Sequence, residues 1–448
     1  MQQPIDSQNL LTRAEELVHL AKKAGATDAD AVIVRSRSRS VSVRLGKVEG
    51  VDASESDDFS LRVFVGSRVA SVSANPGFDA QTLVERAVAM AKASPEDPFA
   101  CLADDADLSK DHPDLGMLDL TEVSSAELTD AALEAEAAAL AVAGVTNSAG
   151  SGASTSMGGL VLVTSRGFSG SYMATRFGRG VSVIAGEGTS MERDHEGDSR
   201  VRYADLDAAA ELGRKAAERA VKKLNPRKAD TGTGLTVIYD PRVARGLVSH
   251  IASAINGAAI VRKTSFLMDM MGKQILRKGL TITDDPKIFR GSASRPFDGE
   301  GVSGEKLLMV EDGVLQTWFL ATSQARELGL KTNGRGVRGG TSVSPSSSNM
   351  ALEPGDISPE DMLKSVKSGF YVMEMIGHGA NLVTGEYSRG AAGFWIENGE
   401  LTYPVSEVTI AGNMKDMFLS MTPANDIDRT YSTASPTVMI ENMTLAGR

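Results

Sequence analysis

The segment FWIENGELTY, residues 394–403, predicts a tight β-hairpin in the C-terminal half of the chain. Its two apolar runs flank Glu397-Asn398-Gly399-Glu400, and Asn-Gly readily adopts the positive φ angles that tight hairpin turns require. A second hairpin is predicted where Leu307–Val310 and Val314–Phe319 flank Glu311-Asp312-Gly313. These signals place a domain boundary near residue 230, with a mostly antiparallel β domain over 231–448.

The first 230 residues alternate between helical and strand-like periodicity. Apolar residues recur at helical spacing over 10–21, and Asp79 is positioned to cap a second helix. Further helices are predicted over 125–143 and 206–224, and short alternating runs indicate strands at 31–34, 41–45, 59–65, 69–72, 160–163, 168–176 and 181–185. The fold class is therefore α+β, with an N-terminal α/β half whose sheets are flanked by helices.

A weak internal repetition divides this half into two possible lobes, about 1–120 and 121–230. Strands, an alanine-rich helix and a proline follow one another at 59–95 and again at 168–226. Two similar lobes would produce this pattern, but chance explains it equally well.

Composition excludes several classes of protein. The 448 residues are 42% hydrophobic and 23% charged, which is typical of globular proteins. The 47 basic and 58 acidic residues give a net charge of −11, which disfavours non-specific binding to nucleic acid. Cys101 is the only cysteine, so an internal disulfide is excluded and a reducing compartment is indicated. Because neither a signal peptide nor a membrane-spanning run is visible, we expect a soluble cytoplasmic protein without membrane contacts.

Two stretches resemble known functional motifs but lack features that those motifs require. Gly334–Gly339 formally matches G-x-G-x-x-G, but the dinucleotide fingerprint needs a preceding strand and a following helix. A helix end and a serine-rich stretch flank it here, so a flexible loop is favoured, although Arg335 and Arg338 could contact an anion or a peptide carboxylate. His195-Glu196 begins like a zincin motif, but residue 199 is Ser, so a solvated loop is favoured over a metal site.

The segment around His378 is the remaining candidate for ligand binding. His378 lies between glycines, and glycine backbone can approach a ligand closely. The polar side chains that follow it before the hairpin include Asn381, Glu386, Tyr387 and Ser388. A structural turn is the favoured alternative. Since no G-x-S-x-G is present either, chemistry alone identifies no active site.

Several segments occur in a characteristic order and spacing: Val69–Ser73 with Asp79, Arg262–Phe266, the Gly313 hairpin, Gly377–Asn381 with Val383–Ser388, Ile396–Gly399 and Ile410–Asn413. On these segments the chain resembles the TldD/PmbA family along almost its whole length, and specifically its PmbA (TldE) branch.

The resemblance implies an intracellular metalloprotease whose metal lies in another subunit. TldD-type subunits carry H-E-x-x-x-H on a helix before the segment matching Arg262-Lys263, and a cysteine near the C-terminus, which hold a metal expected to be zinc. Counting back from Arg262, these positions are Ser249, His250 and Ala254 in this chain, and no C-terminal cysteine is present. The resemblance therefore implies no catalytic residue, no metal ligand and no cofactor here, with zinc in the TldD-type partner.

What remains is a role as the non-catalytic partner of a peptidase that acts on unfolded peptides or small proteins. The partner would be a TldD-like paralogue in a heterodimer, or a second copy in a homodimer, and His378, Asn381, Glu386, Tyr387 and Ser388 would contact an extended peptide. The glycine- and serine-rich strands of 147–190 could offer a sheet edge for that peptide, but buried meander strands are favoured. The family's "modulator of DNA gyrase" label does not require DNA binding.

Two alternatives stay open. One is a stand-alone homodimeric peptide-binding protein. The other is an autonomous metallopeptidase with an unrecognised site, built from His250, His378 and carboxylates. For His250 itself, a packed or capping role is favoured over catalysis.

Overall fold

The computed structural model describes residues 7–339 and 342–448, except for the side chains of residues 7 and 189. Its N-terminal half is built on one antiparallel sheet with strands β1 (Asp28–Arg44), β2 (Lys47–Val65), β3 (Arg68–Ala74), β4 (Val145–Thr164), β5 (Ser169–Ala185) and β6 (Glu192–Arg200). The order is β3-β2-β1-β4-β5-β6. The regions considered above as two lobes share this sheet. The predicted glycine- and serine-rich meander is confirmed, because β4 and β5 are interior strands.

Four helices pack on one face of this sheet in two pairs: α1 (Ser7–Lys23), α2 (Ala80–Ala93), α3 (Ser125–Leu140) and α4 (Ala209–Lys222). The first pair covers Ala31 and Ile33 of β1, and the second covers Val41 and Val43. Because side chains alternate along a strand, the even-numbered residues of β1 face away from the helices. From position 36 to position 42 those residues are all serine.

A closed barrel forms the centre of the C-terminal half. It contains β7 (Gly232–Tyr239), β14 (Ser368–Ile376), β15 (Glu386–Glu397), β16 (Glu400–Asn413) and β19 (Val438–Ala446). The order is β16-β15-β14-β7-β19, and β19 pairs back onto β16. Closure leaves these five strands without a free edge between them. The pair β7–β14 is parallel and the remaining barrel pairs are antiparallel.

A second sheet and five helices surround the barrel. The sheet has the order β10-β9-β8-β13-β18, with β8 (Ile282–Asp285), β9 (Leu307–Glu311), β10 (Val314–Leu315), β13 (Asn349–Leu352) and β18 (Thr433–Ala434). The smaller strands are β11 (Gly336–Gly339), β12 (Ser342–Pro345) and β17 (Thr422–Pro423). The helices are α5 (Pro241–Ala254), α6 (Gly257–Val261), α7 (Thr322–Glu327), α8 (Pro359–Lys364) and α9 (Met414–Ser420). The α+β class is confirmed. No helix in the described part of the chain has the length and apolarity needed to cross a membrane.

Both predicted hairpin turns are confirmed. Asn398 and Gly399 connect β15 to β16 with φ values of 51° and 81°. Asp312 and Gly313 do the same between β9 and β10 with 48° and 81°. The strand predicted to reach Phe319 ends at Leu315, because the backbone of Phe319 is hydrogen-bonded to the junction of α5 and α6.

Apolar spacing over 243–261 predicts one helical stretch, but the structure has two helices there. The chain leaves the helical path at Ile255, and the side chain of Asn256 accepts a hydrogen bond of 3.0 Å from the Ala258 N–H at the start of α6. Asparagine is a strong N-cap, so a new helix begins where the longer one would have continued.

The G-x-G-x-x-G stretch is an ordered hairpin strand, so the flexible-loop interpretation was wrong. Arg335 is completely buried and its Nε donates to Asp284 at 2.6 Å. The Arg338 guanidinium lies 2.5 Å from Asp30 of β1, which Arg62 also contacts. Burial alone would raise the pKa of Asp30, but Arg338 and Arg62 hold that pKa below its ordinary value. The hairpin therefore joins the two halves through the buried Arg338–Asp30 ion pair.

A pair of acidic side chains lies under the same hairpin. The Asp298 carboxylate accepts hydrogen bonds from the N–H groups of Glu300, Val302 and Gly336. Glu300 accepts two more from Thr322. Burial, and after it the charge of Glu300, raises the pKa of Asp298 to about 7.

We expect the substitution R338M to lower the free energy of unfolding by about 3 kcal/mol, measured by urea denaturation. That is the lower end of the range for breaking a buried ion pair, because Arg62 still neutralises Asp30. K364M is the matched control: Lys364 and Asp361 form an exposed pair at 3.7 Å, so a loss of at most about 0.5 kcal/mol is expected. Equal losses in the two variants would contradict the importance of the buried contact.

The raised pKa of Asp298 also predicts the sign of a pH effect. Between about pH 4 and pH 7 the folded chain holds a proton that the unfolded chain has released, so this group lowers the stability as the pH rises. E300Q removes the like charge and should reduce this loss of stability with rising pH. The measurement is the urea midpoint, which should differ less between mildly acidic and neutral buffer than in the parent. E218Q, at an exposed position, should keep the wild-type difference.

Candidate functional site

The sheet face that points away from the helices forms the floor of a groove of about 560 Å³, which we call the interdomain cleft. Four adjacent strands contribute small residues in register to its floor. One row is Ser40, Ser154, Gly178 and Ser199, and the next is Ser42, Gly152, Gly180 and Gly197. Because none of these side chains extends far from the backbone, the floor stays open to a ligand.

Tyr431 of the C-terminal half forms the opposite wall. Its hydroxyl donates to the Gly197 carbonyl at 3.4 Å, which connects the wall to β6. The guanidinium of Arg245 on α5 lies 3.7 Å from the centroid of its ring, a cation–π contact. Beside it, Arg200 donates to the Thr430 hydroxyl at 2.9 Å.

A smaller cavity of about 300 Å³ continues from the cleft around Tyr431, and we call it the arginine pocket. Its lining consists of two arginines and hydroxyl-bearing residues: Arg176, Arg245, Ser199, Ser292, Thr430, Tyr431, Ser432 and Thr433. Ser199 and Tyr431 line the cleft as well as the pocket, so the two spaces are continuous.

A second ion-pair network fixes the side of the cleft near β6. The buried carboxylate of Asp194 contacts Lys223 at 3.1 Å, Arg242 at 3.2 Å and Arg219 at 3.3 Å. Lys223 also contacts Glu374 of the barrel at 3.1 Å. Burial would raise the pKa of Asp194, but the three cations lower it below the ordinary value. His195 and Glu196 lie in β6 beside this network, so the loop interpretation of that segment was wrong.

The three positions aligned with the metal motif do not form a metal site. Ser249 is exposed and its hydroxyl donates to the Arg245 carbonyl at 3.0 Å. Ala254 is fully buried in the C-terminal core. A hydroxyl and a methyl group cannot take the place of imidazole ligands at zinc. Zinc, as the family implies it, does not fit this donor set.

His250 is packed against Tyr387, with ring centroids 6.1 Å apart. Its Nε2 is buried without a hydrogen-bond partner in the described structure. Burial, and then the charge of Arg389, lowers the pKa of His250, which favours a neutral imidazole. Across residues 7–339 and 342–448, His, Cys, Asp and Glu side chains nowhere gather in a group of three or more that could hold a metal ion.

Of the five predicted peptide-binding residues, His378 and Asn381 lie in the loop before β15, and Glu386, Tyr387 and Ser388 begin that strand. Asn381 accepts hydrogen bonds from the N–H groups of Val383 and Thr384, at 2.9 and 3.3 Å. His378, Asn381, Glu386 and Ser388 are exposed, whereas Tyr387 is buried against His250. None of the five lines the interdomain cleft or the arginine pocket. Their role in peptide binding stays a prediction.

Sequence reasoning missed the residues that shape the cleft, notably Arg176, Arg245 and Tyr431. One signal was available. Serine occupies every second position from 36 to 42, so one face of β1 carries only small polar side chains there. A sheet face that packs against another domain would be expected to carry larger apolar side chains.

Comparison with known proteins agrees with this architecture. Family models described as PmbA/TldA metallopeptidase domain 1, central domain and C-terminal domain match residues 29–91, 118–224 and 231–447. The chain belongs to the PmbA/TldD family. It is 38% identical to the metalloprotease PmbA of Escherichia coli O157:H7, and the match covers 97% of this chain and 96% of that protein.

Solved structures extend the PmbA/TldD likeness to three dimensions. A Bacteroides thetaiotaomicron protein, described as a candidate modulator of DNA gyrase, superposes with a TM-score of 0.90 at 27% identity, covering 99% of each chain. TldE from Thermococcus kodakarensis superposes with a TM-score of 0.83 at 21% identity, covering 97% of this chain and 99% of that one, and shows the shared fold.

Introducing histidines tests the geometry of α5. A254H should lower the free energy of unfolding by about 1–3 kcal/mol, because the larger side chain enters a filled core. S249H, at an exposed position, should stay within about 0.5 kcal/mol of the parent. The double variant should not gain stoichiometric zinc, measured by elemental analysis after zinc-replete purification and dialysis, because two imidazoles are fewer than the three or four protein ligands of zinc sites. A tightly held zinc ion in that variant would show that the chain supplies the missing ligands.

Proposed function

We propose that the chain is a PmbA/TldE-type, non-catalytic subunit of a cytoplasmic TldD–PmbA metalloprotease that cleaves unfolded peptides or small proteins. One observation carries the proposal: the positions aligned with the metal motif offer an exposed hydroxyl at Ser249 and a buried methyl at Ala254, while the same helix lines the arginine pocket, which is continuous with the cleft. The zinc ion would be held by the TldD-type partner and would supply the activation of the attacking water in that subunit.

The cleft suits an extended, unfolded chain. Four strands spaced about 4.8 Å apart give a floor about 14 Å across, the length of about four extended residues. Serine hydroxyls and glycine backbone supply hydrogen-bonding groups without demanding particular side chains. The walls are held by buried ion pairs on two sides, so the space is preorganised and little ordering is needed on binding.

Peptide cleavage and complex formation test the proposal together. The chain should be co-expressed with a paralogue carrying H-E-x-x-x-H, with an affinity tag on this chain only. We expect the paralogue to co-purify, zinc to be present in the complex and absent from the chain alone, and an unstructured peptide to be cleaved fully only by the complex.

A matched control separates assembly from chemistry. A paralogue whose motif histidines are changed to alanine should still co-purify but should not cleave. If the two chains never associate and the paralogue cleaves equally well alone, the proposal fails. A dimer of this chain that binds peptide without any paralogue would instead support the stand-alone binding protein.

A further inference from the structure

Two guanidinium groups in the arginine pocket lack an acidic partner in the described part of the chain. Arg176 donates to the Ser292 carbonyl and, at 3.5 Å, to the Ser199 hydroxyl. Arg245 stacks on Tyr431. Neighbouring arginines are neutralised: Arg200 lies 2.8 Å from Asp198, and Arg242 lies 3.2 Å from Asp194.

The lining of this pocket is positively charged, whereas the chain as a whole has a net charge of −11. The residues that line the pocket include two cations and several hydroxyl groups but no carboxylate. Burial lowers the pKa of Arg176, and no neighbouring anion opposes that effect. An incoming anion would therefore be stabilised by both guanidinium groups without displacing an existing ion pair.

We propose that Arg176 and Arg245 bind the carboxylate of an extended peptide lying in the interdomain cleft. The inference rests on the proposed function, since it names the chemical group that this subunit recognises in its substrate. Guanidinium groups present paired N–H donors that match the two oxygens of a carboxylate. Hydroxyls of Ser432 and Ser292 in the same lining can donate to the remaining lone pairs.

The position of the arginine pocket next to the cleft bears on which peptides the chain would bind. Because Ser199 and Tyr431 are shared by the cleft and the pocket, a peptide on the cleft floor reaches the arginines without leaving the sheet face. The bound group is either the C-terminal carboxylate, which would fix the direction of the peptide, or an acidic side chain, which would select the sequence.

Binding to the purified chain alone tests this inference. Four N-terminally labelled, unstructured peptides of one length would be compared by fluorescence anisotropy. They combine a C-terminal acid or amide with an internal Asp or Asn. We expect at least one of the two acidic groups to raise the affinity of the peptide that carries it. R176Q and R245Q should each lower the affinity for that acidic peptide about tenfold, as for the loss of a hydrogen bond to a charged group. The peptide with neither acid should bind weakly and equally to all variants.

The controls address charge and folding. R86Q changes an exposed arginine on α2 and should bind as the parent does. R245K keeps the charge but loses the paired donors, so its affinity should fall between those of the parent and R245Q. If a glutamine variant does not fold, the parent's salt dependence decides: added salt should weaken the acidic peptide more than the neutral one.

Two results would overturn the inference: equal binding of the acidic and neutral peptides to the parent, or unchanged binding of the acidic peptide to R176Q and R245Q. Failure here is distinguishable from failure of the proposed function. R176Q and R245Q should co-purify with the paralogue as the parent does, whereas a parent that never associates refutes the subunit role and leaves the peptide measurements intact.

Discussion

The carboxylate of Asp30 lies where the two halves of the chain meet, and it is neutralised from both. Arg62 reaches it from the neighbouring strand of the N-terminal sheet, and Arg338 reaches it from the hairpin of the C-terminal half. The buried guanidinium of Arg338 loses this acidic partner when the halves are displaced, so the ion pair favours one relative position of the two. Asp194 performs the same function on the far side of the cleft, with Lys223 contacting Glu374 of the barrel. The space between the halves is therefore a fixed feature of the fold.

The two faces of the N-terminal sheet show how this space is kept open. The helix-covered face carries Ile33, Phe59 and Val183, whose burial provides the hydrophobic stabilisation of that half. The opposite face carries serine and glycine at the centre. Apolar side chains return at its end, where Val32 and Leu162 pack against Phe297 of the C-terminal half. Large residues thus attach the halves to each other, and small residues leave the cleft between them.

Local signals in the sequence were sufficient for most of the fold but not for the site. Asn398-Gly399 specifies its turn through the φ angles of two residues, and Asp79 caps α2 through one hydrogen bond of 2.7 Å, so both could be read from the chain. The G-x-G-x-x-G hairpin was misread, because its order depends on Asp30 and Asp284, which are distant in sequence. The arginine pocket was invisible for the same reason, since Arg176, Arg245 and Tyr431 come from three separate segments.

Helix α5 carries both the positions aligned with the metal motif and Arg245 of the arginine pocket. Arg245 and Ser249 are one turn apart, so the exposed side of the helix that points at Tyr431 continues past the first aligned motif position. A chain serving only to close an assembly would gain stability by filling this space with apolar side chains. Here the helix instead presents the guanidinium group of Arg245 to the arginine pocket. That choice of residues favours contact with a polar, extended ligand over simple packing, and it requires no bond-breaking chemistry from this chain.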